Sequence, residues 1–196
     1  GHATVSAFLA ANAAVPSVPL VSVSGQGQLS MRESCCVGGG GGIVALGHAQ
    51  VRLNHCTFRR CSFSGIYIKD AAFASIMGSS FVDCDTALRV RDAAFSMEMC
   101  ELRDSRRDAV VLHGPAKGIL AKTKINGSED NGALMSPSSE LVVSHCVIRG
   151  CRKHGVYAPI GADFALIGCS FEDNILGDSS RSPPLESALA ARHNLA

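Results

Sequence analysis

The chain has 196 residues, 46% of them hydrophobic, which is enough for one compact core and excludes a disordered tract. Its 18 Lys and Arg against 17 Asp and Glu leave a net charge of +1, which argues against a polyelectrolyte partner such as nucleic acid. With no Trp and 5% aromatic residues it has little to build a stacking groove, and no apolar run reaches the ~18–20 residues of a membrane span.

At the N-terminus, Gly1–His2 reads as a tag remnant with no secretory signal after it. Thr4–Val15 is apolar and Ala-rich, as expected of an N-terminal cap or a leading strand, so residues 1–18 are set apart from the rest of the chain. From Pro19 the chain repeats. Segments of one pattern begin at Ser34, Cys56, Ser79, Cys100, Thr123, Cys146 and Cys169, at offsets of 21 to 23 residues. Two residues into each segment stands an apolar position: Cys36, Phe58, Phe81, Leu102, Ile125, Ile148, Phe171. A column of Gly or Ala comes next: Gly42, Gly65, Ala87, Ala109, Gly132, Gly155, Gly177. Before each start and after each small residue lie alternating apolar pairs, such as Val51/Leu53 and Ile66/Ile68.

Period two means strand, with alternate side chains inside. Three short strands per repeat and no helix between them predict an all-β, right-handed parallel β-helix over residues 19–177, of about seven coils. Small residues fit its corners, where the backbone needs a positive φ or leaves no room for a branched side chain. Beyond it, Asp178–Pro184 reads as a linker and Leu185–Leu195 as a short helix capped by Ser182, so residues 178–196 form a C-terminal segment.

The repeat resembles the right-handed parallel β-helix repeat family, over roughly Leu20 to Gly177. That family includes pectate-lyase-like and epimerase enzymes, and β-helix domains of intracellular proteins such as F-box-only protein 11 and SHC-binding protein 1. The resemblance implies the fold and is unspecific for activity, because the repeated positions are core positions.

Seven of the nine cysteines fall in inward columns, Cys169 joins the first of them, and only Cys35 lies outside. They read as free thiols packed as small hydrophobes in a reducing, cytoplasmic compartment, with the cytoskeleton one place for such a domain. Cys56/Cys61 and Cys146/Cys151 are spaced by five, which is not a zinc pattern. His55 and His145 share a column four coils apart, ~19 Å, too far to share a metal. No metal and no cofactor is expected.

Outward residues are assigned by alternation. After the Gly column, Lys69, Arg91 and His113 form one ladder in adjacent coils, with Tyr67 and Arg89 beside them and Tyr157 further along. Like charges in register destabilise a sheet, so the row either presents itself to an anion or is neutralised by Asp70 and Asp92. On another face Ile119, Val142 and Ile167 replace polar residues, marking an interface or a surface covered by Leu185 and Leu189. Asp83 and Asp104 align at a corner with Asp85 and Asp108 nearby, and Glu98 stands alone. The outward positions of the basic sheet hold no carboxylate, and no polygalacturonase or pectate-lyase motif is recognisable, so no catalytic residue is assigned. Three functions stay open. The first is a non-catalytic scaffold or adaptor domain docking a protein partner, such as an acidic or phosphorylated segment. The others are a carbohydrate-binding or carbohydrate-active domain and a self-assembly element forming homo-oligomers.

Overall fold

The computed structural model describes residues 1–6, 9–12 and 18–181. One coil shows the logic of all. Gln50–Asn54 is a strand of the first sheet, Thr57–Arg59 of the second and Ser64–Lys69 of the third. Phe73–Met77 then returns to lie parallel to Gln50–Asn54, with Ile76 against Leu53. Repetition builds three parallel sheets, each of eight strands among the described residues. Strand alternation puts one residue in two into the shared lumen, and stacking carries each column along the axis. Leu53, Ile76, Met97, Leu120 and Val143 succeed one another in register and all are buried. Phe58 and Phe81 stack face to face, centroids 4.9 Å apart at 7°.

The corners differ from the expectation in one respect. Backbone with positive φ falls mostly on residues other than glycine, including His55, Arg60, Asp83, Asp104 and His145. Gly42, Gly65, Gly132 and Gly155 have no positive φ. They are small because the next coil is too close: a Cβ on Gly42 would lie 2.5 Å from both the Gly65 carbonyl oxygen and Phe58 Cδ1.

The solenoid also runs past both expected boundaries. His2–Ser6 pairs with Gln28–Arg32 and Leu9–Asn12 with Cys35–Gly38, so the N-terminal residues supply strands of a leading coil. His2, read as tag remnant, is hydrogen-bonded through Nδ1 to Gln28 Oε1 at 3.2 Å. Gly177–Arg181, where a linker was expected to begin, pairs with His154–Ala158. Its polar side chains gave no strand signal, but edge backbone groups find partners there. The expected helix at 185–195 lies outside the described residues.

All nine cysteines are free, and seven are buried. Burial pushes the Cys36 thiol up to about 12 and the Cys100 thiol to about 11. Sulfur atoms take up backbone carbonyls: Cys100 Sγ donates to Glu98 O at 3.3 Å and Cys146 Sγ to Ser144 O at 3.4 Å. Their neighbours in the column, Ser79 and Thr123, accept from the Cys56 and Cys100 amides at 3.0 and 3.3 Å.

Candidate docking face and corner cleft

The outer face of the third sheet carries two columns. Val44, Tyr67, Arg89, Val111, Leu134 and Tyr157 succeed one another in register. Two residues along, Lys69, Arg91 and His113 do the same. Arg91 is exposed, and Tyr67, Lys69, Arg89, His113 and Tyr157 are half-buried. Val111 is buried.

Arg89 is the most embedded of the cations. Its guanidinium carbon lies 4.5 Å from the centroid of the Phe63 ring, a cation–π contact. Phe63 in turn meets Tyr67 edge-on at 5.8 Å. Arg89 Nη2 donates to Thr86 Oγ1 at 3.3 Å, and its buried Nε has no partner. Burial lowers its pKa, with Asp85 opposing. Phe63, 43% exposed, escapes the sequence pattern because it stands at a corner, outside the strand alternation.

The neutralisation of the row is uneven. Lys69 Nζ lies 3.2 Å from Asp70 Oδ2. The Asp92 carboxylate instead fills the space over Gly114, and among the described residues Arg91 has no ion-pair partner. Burial lowers the His113 pKa, followed by the charges of Arg89 and Arg91, while Asp108 and Asp92 oppose.

Tyr157 stands apart, three strands from Arg89, in a cleft of about 370 Å³ at the corner between the second and third sheets. The floor is a ladder of polar side chains in successive coils. Asp108 Oδ1 accepts from the Asn131 amide at 3.0 Å and from Asn131 Nδ2 at 2.7 Å. Asn131 Oδ1 accepts from the His154 amide at 3.1 Å. The His154 and Tyr157 rings are 5.4 Å apart, tilted by 44°. On the rim, Lys153 Nζ pairs with Asp130 at 2.6 Å, which raises the lysine pKa. Arg107 and Leu134 complete the walls. Asn131 and His154 were not singled out in the sequence, although Asp108, Asn131 and His154 succeed one another at offsets of 23.

The four acids read together in the sequence do not converge. Asp83 and Asp104 line a second cleft of about 390 Å³, widened where Gly127 and Gly150 carry no side chain, whereas Asp108 faces the first. Asp83 is tied to Arg106, whose Nε and Nη2 both lie 2.9 Å from Oδ1. Glu98 pairs with Lys122 at 3.1 Å. Among the described residues no three His, Cys, Asp or Glu are grouped to hold a metal. The His55 ring covers Gly78, and the His145 ring covers Gly168.

On the first sheet, Ile119 and Val142 stack in register, 48% and 38% exposed, and Ile167, 51% exposed, lies in the neighbouring column. Leu185 and Leu189, expected to cover them, lie outside the described residues.

Three parallel sheets closed around an apolar lumen define a parallel β-solenoid. The chain belongs to the right-handed β-helix family: residues 21–182 match the family described as right handed beta helix region. No curated protein matches the sequence. Among solved structures it is similar to the catalytic domain of a GH87 alpha-1,3-glucanase in complex with nigerose, at 7% identity and TM-score 0.41. That match covers 81% of this chain and 49% of the other, so the chain spans about half the length of the glucanase domain. It is also similar to the A-module of the Azotobacter vinelandii mannuronan C-5 epimerase AlgE6, at 13% identity and TM-score 0.30, covering 90% and 67% of the two chains. Likeness at this level bears on neither substrate nor chemistry.

Proposed function

We propose that this β-helix is a non-catalytic protein-interaction module, a scaffold or adaptor domain that docks a partner on the outer face of its third sheet within a reducing compartment. The observation that supports it is the Lys69–Arg91–His113 row, aligned in adjacent strands, with the Arg91 guanidinium exposed and lacking a carboxylate partner among the described residues. Like charges in register cost stability, and an anionic partner recovers that cost on binding. The aromatic flank of Phe63 and Tyr67 supplies apolar contact area beside the charge. Three of the carboxylates at the two corner clefts are engaged structurally, Asp83 by Arg106, Asp130 by Lys153 and Asp108 by Asn131, and act as corner struts.

Affinity capture from cell extract with the intact chain and with Arg91→Glu tests this. Polypeptides retained by the parent and lost from the variant support the reading. Identical captures, or none, overturn it.

A second reading, a carbohydrate ligand, rests on the corner cleft, where Tyr157 offers a ring face beside Asp108, Asn131 and His154. Calorimetry with oligouronates and oligoglucans decides it: heat that disappears on Tyr157→Ala supports a sugar site, and no heat rejects it.

A further inference from the structure

The basic row and the corner cleft lie on one side of the solenoid, and their separation is set by the coil stack. Leu134 and Tyr157 are two and three strands beyond Arg91, and their column is two residues along the strand from it. Strands stack at about 4.8 Å and rise about 3.3 Å per residue, so the midpoint between Leu134 and Tyr157 lies about 14 Å from Arg91. An extended peptide crosses that distance in about four residues. Residues four apart in an extended chain point to the same side, whereas residues three or five apart do not.

We propose that this face holds an extended phosphopeptide along the solenoid axis, its phosphate on Arg91 between Lys69 and His113, and an apolar side chain four residues away against Leu134 and Tyr157. This rests on the docking function proposed above and specifies its ligand. The density of donors selects phosphate. Three side chains able to donate hydrogen bonds lie within two strand steps, about 10 Å, and the central one is an exposed guanidinium fork suited to two phosphate oxygens. A phosphate monoester brings nearly two negative charges to one point, where a carboxylate brings one. The apolar end is selected by what the column offers there. Beyond Arg89 and the buried Val111 the column turns to Leu134 and Tyr157, with no charged member, and the nearest rim charges, Lys153 and Asp130, are paired with each other.

The test uses fluorescence anisotropy with the intact chain and labelled nine-residue peptides of Gly, Ser and Ala. Each carries phosphoserine and one Phe four residues away, in either order along the peptide. Phosphoserine in place of serine is expected to tighten binding about tenfold for at least one order. Arg91→Ser, an exposed site that leaves the fold intact, removes that gain, and inorganic phosphate competes it away. Moving Phe from the fourth to the third position weakens binding as much as Tyr157→Ala does. Equal binding of phosphorylated and plain peptides, indifference to Arg91→Ser, or equal binding at the third and fourth spacings overturns the inference. If the Arg91→Glu capture succeeds while these peptides fail, only the ligand assignment falls. If the capture itself is unchanged, the docking face falls with it.

Discussion

The corner glycines make a sharp demand on stability at Gly65. Its φ lies in a region any residue adopts, so alanine meets no backbone penalty. The obstacle is space. A Cβ there would stand 2.6 Å from Phe81 Cδ1 and 2.7 Å from the Ala87 carbonyl oxygen. Phe81 cannot retreat, because it is 1% exposed and lies flat on Phe58. Stiffening the unfolded chain favours alanine by about 0.4–1 kcal/mol, but overpacking of a dense core costs about 1–3 kcal/mol. Gly65→Ala is therefore expected to destabilise by about 1–2 kcal/mol. In the same column Ala87 and Ala109 stand where the next coil presents Leu102 and Ile125, whereas Gly132 faces Ile148. Phe81→Leu alone removes buried ring surface, at about 1–2 kcal/mol. In the Gly65→Ala background it also relieves the contact with the ring, leaving the one with the Ala87 carbonyl, so the two changes couple favourably by about 1 kcal/mol. Urea denaturation of the four proteins, followed by circular dichroism, measures the cycle. Additivity within about 0.5 kcal/mol, or a Gly65→Ala protein as stable as the parent, would refute the reasoning.

Native alkylation at pH 8 is expected to modify Cys35 and Cys169 first, the only thiols that are not buried, and the other seven on unfolding alone. Mass spectrometry showing prompt labelling of any buried thiol contradicts the packing. His113 has a folded-state pKa below its ordinary 6.5, so over that window the unfolded chain binds the extra proton. Stability then rises with pH through the window and is lost as pH falls below 6.5. His113→Gln should flatten that slope, and an unchanged slope in urea titrations at successive pH values counts against the assignment. Asn131→Leu leaves the buried Asp108 carboxylate without the 2.7 Å side-chain bond, at an expected cost of about 1–3 kcal/mol in the same assay. A cost near zero would mean the ladder does not hold the corner.

Much of the solenoid is legible because a parallel stack translates sequence period directly into spatial register. Leu53, Ile76 and Met97 are adjacent in space for the same reason that they recur in the chain. Column membership placed the thiols correctly, and strand alternation the Lys69–Arg91–His113 alignment. What stayed hidden lies at the corners. Alternation assigns a side chain's direction only within a strand, and at a residue such as Asp83 or Asp104, each with φ of 54°, that rule lapses. Hence Phe63 under Arg89 leaves no trace in the alternation, the Asn131–His154 ladder shows only as a recurrence at 23 residues, and Asp108 falls in a different cleft from Asp83 and Asp104. The final strand, Gly177–Arg181, was hidden for another reason. It is held by backbone bonds, which leave no hydrophobic trace in Asp178, Ser179 and Ser180.

A stack in which every coil touches only its neighbours behaves as a ruler graduated in whole coils. Duplication or loss of one repeat between Arg91 and Tyr157 would keep both ends chemically intact while moving them apart or together by about 4.8 Å. Relatives that differ by such a block would then recognise the same two side chains at a different spacing, so that the length of the motif, and not its composition, separates their partners.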